Sequence, residues 1–160
     1  MRVLSKDPHL HLIVYCDGAA RGNPGPAGIG VMVTDADGRV LARLGEGIGV
    51  ATNNVAEYRA ALAGLEAAAE LGASRVLVRS DSRLLVEQLS GRFRVKNPTL
   101  IRLHGEIRKL LPRFAEVHFE HIPREQNGEA DSLANQGVDE WLSGEGKGYV
   151  RAEPSPEMFD

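Results

Sequence analysis

The chain of 160 residues has a single cysteine, Cys16, so no internal disulfide can brace it, and that thiol sits inside an apolar run. No apolar stretch approaches the ~20 residues a membrane-spanning helix needs, so no membrane partner is expected. The opening residues, MRVLSKDPHL, lack the apolar block of a secretion signal. The cytosol is therefore the expected compartment. There is no excess of positive charge: the net charge is −3, so bulk electrostatics alone suggest no nucleic-acid partner. Internal repeats and a dividing linker are also missing. What is present is an ordinary composition, 42% hydrophobic and 26% charged, at a length that suits one domain with a real core and, by default, a monomer.

The charge is unevenly placed. Arg92, Arg94, Lys96, Arg102, Arg108, Lys109 and Arg113 lie in one stretch against Glu106 alone. Such a run is either a solvated helix face or a surface for a polyanion.

Hydrophobic period gives the elements. Leu10 to Cys16 reads as a buried strand that ends at Asp17, and Ala27 to Thr34 as a second. The DADG turn, Asp35 to Gly38, leads into a third strand from Arg39 to Gly49, which makes an antiparallel meander. From Asn54 to Leu71 the period becomes helical, and Gly72 is a suitable cap. A strand over Ser74 to Ser80 follows, then helices over Ser82 to Leu89 and Pro98 to Leu111. A fifth strand, Glu116 to Ile122, precedes a last helix from Gly128 to Leu142. Helical crossovers before strands four and five require parallel pairing there. The expected fold is an α/β domain with a mixed five-stranded sheet, three strands antiparallel and two parallel, and helices on both faces. It would occupy residues 10–142, with 1–9 an N-terminal extension and 143–160 a mobile tail rich in Gly, Glu and Pro.

Four acids fall at element ends: Asp17 after strand one, Glu57 in the first turn of the first helix, Asp81 after strand four, and Asp131 in the first turn of the last helix. Each has a local explanation. Asn54 and Glu57 have capping-box spacing, Asp81 could cap the next helix, Asp131 could answer the helix dipole, and Asp17 could stabilise a turn. Yet Glu57 shares a ridge with Ala61, Gly64 and Ala68, and Asp131 with Ala134 and Val138. Carboxylates that border inward-facing surface are costly unless positive charge meets them. Four converging acids would repel unless divalent cations neutralise them, and Mg²⁺ prefers such oxygen ligands.

DGAARGNPGPAG (Asp17 to Gly28), TNNVAEYRA (Thr52 to Ala60), RSDSRLL (Arg79 to Leu85) and GEADSLAN (Gly128 to Asn135) resemble, in order, the four motif blocks of the ribonuclease H type 1 family. The resemblance covers about Leu10 to Leu142. It implies a ribonuclease H-like fold and cleavage of the RNA strand of RNA–DNA hybrids. It also implies two Mg²⁺ ions, replaceable by Mn²⁺, held by Asp17, Glu57, Asp81 and Asp131. Gly18, Asn23 and Gly25 resemble the family turn that detects a ribose. Asn53 and Asn54 resemble residues that contact bases or sugars, and equally a helix cap. Thr52 and Asn97 resemble a pocket for a DNA-strand phosphate.

Three departures stand out. The long basic, Trp-containing insertion of many members is missing, since a short helix leads from Asp81 to GRFRVKNPTL. Phosphate contact then falls on Arg92, Arg94 and Lys96. The loop histidine of many members has no counterpart after Pro123, and Arg124 is its stand-in, with His121 placed in the last strand. The arginine that often stands two places before the pocket threonine is Val50 here. This compact form resembles an archaeal-type subgroup and its bacterial relatives, for some of which double-stranded RNA is a second substrate.

Other readings fit the residues less well. A dinucleotide-binding domain needs a helix directly after the first glycines, but Pro24, Pro26 and a strand follow. A non-catalytic nucleic-acid-binding module has no use for four acids that repel phosphate. An exonuclease or junction resolvase on the same fold would keep the chemistry and change the substrate; the NNxxE block and the GNPG turn favour the hybrid nuclease.

Overall fold

The computed structural model describes residues 8–144 and is built on one five-stranded sheet, whose second strand is buried along most of its length. The expected N-terminal extension and C-terminal tail lie almost wholly outside those residues. The strands are β1 (His11–Ala20), β2 (Gly25–Asp35), β3 (Val40–Ala51), β4 (Arg75–Ser80) and β5 (Glu116–His121). The helices are α1 (Asn53–Glu70), α2 (Arg83–Leu89), α3 (Pro98–Leu110) and α4 (Gly128–Ser143). The sheet order is β3-β2-β1-β4-β5, with β1, β2 and β3 antiparallel and β4 and β5 added in parallel. That is the mixed five-stranded sheet expected from the sequence. No described helix is long and apolar enough to cross a membrane.

Leu12, Val14 and Cys16 of β1 are buried on one face, level with Val76 and Val78 of β4. Helix α1 packs on this face so closely that a Cβ at Gly64 would lie 2.5 Å from Val14. Helix α3 backs α1 with Leu100, Leu103 and Ile107, spaced for one helical stripe. The opposite face of β2 and β3 carries glycines in facing pairs, Gly28 with Gly47 and Gly30 with Gly45. Helix α4 rests on them: a Cβ at Gly30 would lie 1.9 Å from the Ala130 carbonyl oxygen. The core is thus two layers of helix with one sheet between them.

One boundary differs from expectation in a way that matters. Strand β1 does not stop at Asp17 but pairs on through Asp17↔Gly30, Gly18↔Ile29 and Ala19↔Gly28 to Ala20↔Ala27. Ladder pairing uses only main-chain groups, so glycine and alanine continue it while lowering the apolar signal. The tight turn is confined to Arg21–Pro24, closed by the Arg21 N–H to the Pro26 carbonyl at 2.8 Å, and the Asn23–Pro24 peptide is cis.

Candidate active site

Asp17 lies opposite Gly30 in the ladder, so it shares the face that α4 covers, while Cys16 faces α1. Asp17 is only 5% exposed. Glu57 arrives from α1. The cap of that helix is Thr52, whose hydroxyl accepts the Val55 N–H at 3.2 Å, not the Asn54 expected from capping-box spacing. Glu57 therefore lies beyond the first turn, and its carboxylate instead accepts the Gly18 N–H at 2.8 Å. Asp81 follows β4, which is parallel to β1, so both strands deliver their acids at the same end of the sheet. Ser82, not Asp81, caps α2, with its hydroxyl accepting the Leu85 N–H. Asp81 Oδ1 accepts from Asn127 Nδ2 at 3.3 Å, and that amide also donates to the Cys16 carbonyl at 3.0 Å. Asp131 stands in the first turn of α4.

Carboxylate oxygens of Asp17, Glu57 and Asp81 lie within 4.8 Å of one another. Asp131 joins them in lining one cleft of about 410 Å³. Burial, together with the charges of Glu57, Asp81 and Asp131, pushes the Asp17 carboxyl up to about 9. Glu57 is pushed up to about 8, because burial and Asp81 outweigh the Gly18 N–H that favours its charged form. Burial, reinforced by the same acids, raises the Cys16 thiol. A carboxylate beside a cationic side chain shows the opposite shift. Oxygen donors this close, two of them, Asp17 and Glu57, pushed toward the uncharged form when no metal is bound, fit a hard divalent cation.

The remaining predicted residues divide into two groups. Arg124, in a short 3-10 turn (Arg124–Gln126), lines the cleft, and so do Gly18 and Asn53. Asn23 accepts the Asn53 N–H at 2.9 Å and so ties the β1–β2 turn to the start of α1. Thr52, Asn54, Asn97 and Gly25 do not line the cleft. Asn97 caps α3, accepting from Thr99 and Leu100 N–H at 2.9 and 3.2 Å. The smallness of Gly18 and Gly25 serves the protein's own packing: a Cβ would lie 2.2 Å from the Ala56 carbonyl carbon at Gly18 and 2.0 Å from the Arg21 oxygen at Gly25. Sequence reasoning gave no role to Arg21 and Asn135, which line the cleft, or to buried Asn127 behind it. For Asn135 a signal existed, since it lies four residues after Asp131 on the same helical ridge. For Asn127 there was none beyond its place before a helix.

Residues 15–137 match the family described as reverse transcriptase-like. The chain is 47% identical over 131 residues to a bifunctional protein of Mycobacterium tuberculosis, covering 81% of this chain but only 36% of that one. It thus spans about a third of that relative's length. It is 45% identical to ribonuclease HI of Halobacterium salinarum, over 86% of this chain and 69% of the relative. The crystal structure of that organism's RNase H1 superposes with a TM-score of 0.79 over 81% of this chain and 98% of its own. A compost-derived enzyme, LC11-RNase H1, solved in complex with an RNA/DNA hybrid, superposes at 0.78 with 44% identity, over 82% of this chain and 99% of that one. Sequence and fold agree, and the chain belongs to the ribonuclease H type 1 family.

Proposed function

We propose that this chain is an endonuclease that hydrolyses the RNA strand of RNA–DNA hybrids in the cytosol as a monomer, with Mg²⁺ as its metal and Mn²⁺ as a substitute. The observation that carries the reading is the convergence of Asp17, Glu57 and Asp81 within 4.8 Å, with Asp131 on the same cleft. Paired divalent cations, when bound between such acids, supply a nucleophilic water and stabilise the leaving oxygen of an in-line displacement. The products would carry a 5′-phosphate and a 3′-hydroxyl.

The chain's own contribution is to fix its carboxylates before substrate arrives. Gly18 N–H holds Glu57 and the Asn127 amide holds Asp81. Asp17, Glu57 and Asp81, with Asp131 beside them on the cleft, would hold the cations. Arg124, exposed at the cleft, would meet the scissile phosphate or help the product leave. The β1–β2 turn and Asn53 offer main-chain and amide groups to the 2′-OH that separates RNA from DNA across a wide minor groove. Arg94 and Lys96, both exposed, would grip the backbone further out. Arg92 is held by Glu87 and is less available.

The test is Asp17→Asn with a labelled hybrid in Mg²⁺ or Mn²⁺. The expected loss is about 10³-fold or more, the several kcal/mol that metal-held charge stabilisation provides. Activity near wild type would reject the proposal. Hybrid, double-stranded RNA and DNA assayed side by side settle the substrate.

A further inference from the structure

Arg21 leaves the β1–β2 turn and reaches α4. Its Nη1 lies 2.8 Å from an Asp139 carboxylate oxygen. Its Nη2 donates to Asn135 at two points, the side-chain Oδ1 at 3.2 Å and the main-chain oxygen at 3.4 Å. Asn135 Nδ2 donates onward to Asp131, to its main-chain oxygen at 3.1 Å and its Oδ1 at 3.4 Å. Asp131, Asn135 and Asp139 are spaced four apart and form one ridge of α4, the ridge that meets the turn.

A primary amide has one end that only donates and one that only accepts. A guanidinium can only donate. Its contact therefore turns Asn135 Oδ1 toward Arg21 and leaves the NH₂ group for Asp131. Without Arg21 the amide can rotate and present its oxygen to a carboxylate oxygen, which repels. The charge of Arg21 is meanwhile answered by Asp139. We propose that Arg21 is a positioning residue that acts through Asn135 to set the Asp131 carboxylate, so that the glycine-containing turn and the fourth acid form one unit. This deepens the nuclease reading and rests on it.

The test is a double-mutant cycle with Arg21→Leu, Asn135→Ala and the pair, assayed on hybrid. Each single change lowers kcat about tenfold or more, as removal of groups behind metal ligands does, and leaves KM unchanged. The double variant is no slower than the slower single one, because one path can be lost only once. Additive losses, or a raised KM in Arg21→Leu, overturn the proposal, for Arg21 would then touch substrate itself. Arg21→Lys keeps the charge but not the fork and regains only part of kcat; full recovery counts against the relay. A second readout is independent of activity. The Asn135 side-chain amide gives two separated, slowly exchanging proton signals in ¹⁵N spectra, and Arg21→Leu moves them to free-amide positions. Unchanged signals overturn the relay. An inactive wild type counts against the nuclease reading instead, and the amide signals then decide the relay.

Discussion

Asp17 is the residue where stability and function conflict. Its carboxyl is pushed up to about 9, whereas an unfolded chain releases that proton near the ordinary value of 3.8. The folded state therefore holds a proton that the unfolded state gives up, and stability falls as pH rises from about 4 to about 9. Asp17→Asn removes this cost. Without divalent metal the variant should be more stable than wild type at pH 8, by about 1–3 kcal/mol, and the gap should close as pH approaches 4. Thermal unfolding in chelator across that range measures it; a gap that widens on acidification contradicts the assigned cause. Glu57 adds a smaller effect of the same sign, since it too is raised, to about 8.

Among the elements, α4 depends most on what is missing beneath it. Gly28, Gly30, Gly45 and Gly47 bring the helix backbone against the sheet. A Cβ at Gly30 would meet the Ala130 oxygen at 1.9 Å and the Ala134 nitrogen at 2.6 Å, main-chain atoms that cannot rotate aside. Gly30→Ala should cost about 1–3 kcal/mol or more and shift Asp131, the residue after Ala130. Unfolding midpoints and kcat should fall together. Gly38→Ala is the comparison, because nothing lies within 4 Å of its Cβ and only its φ of +89° strains. It should lower stability slightly and leave kcat alone. Equal loss of activity in both variants contradicts the seating argument. The basic loop between α2 and α3 is also held from within: Tyr58 donates to Gln88, whose amide donates to the Arg94 carbonyl at 3.0 Å.

For the whole molecule, net charge and site chemistry give opposing expectations. A chain of charge −3 should bind a polyanion only through local basic groups. Hybrid affinity should fall steeply with salt, and removing both Arg94 and Lys96 should flatten the log–log slope by about 2 if each meets a phosphate. An unchanged slope places the phosphate contacts elsewhere. Mn²⁺ should raise the unfolding midpoint of wild type more at pH 8 than at pH 6, because the cation must displace protons from Asp17 and Glu57. The increment should vanish in Asp17→Asn.

The strand and helix order, the parallel and antiparallel pairing, and the four acids were all legible in the residues, because period and turn chemistry are local and crossover rules are general. The caps are less so: Thr52 and Ser82 cap the helices that Asn54 and Asp81 could equally have capped, since several neighbouring polar residues can each cap and only backbone geometry chooses among them. The end of β1 is not legible, because Gly18, Ala19 and Ala20 pair through their main chain while giving a weak apolar signal. Distance along the chain hid the rest. That Gly18 grips Glu57, that Asn127 bridges Cys16 and Asp81, and that Arg21 reaches Asn135 are contacts between segments 39, 111 and 114 residues apart. The amino-acid order named the acids; only the packing of α4 on bare backbone, and of α1 beside β1, decided how closely they meet.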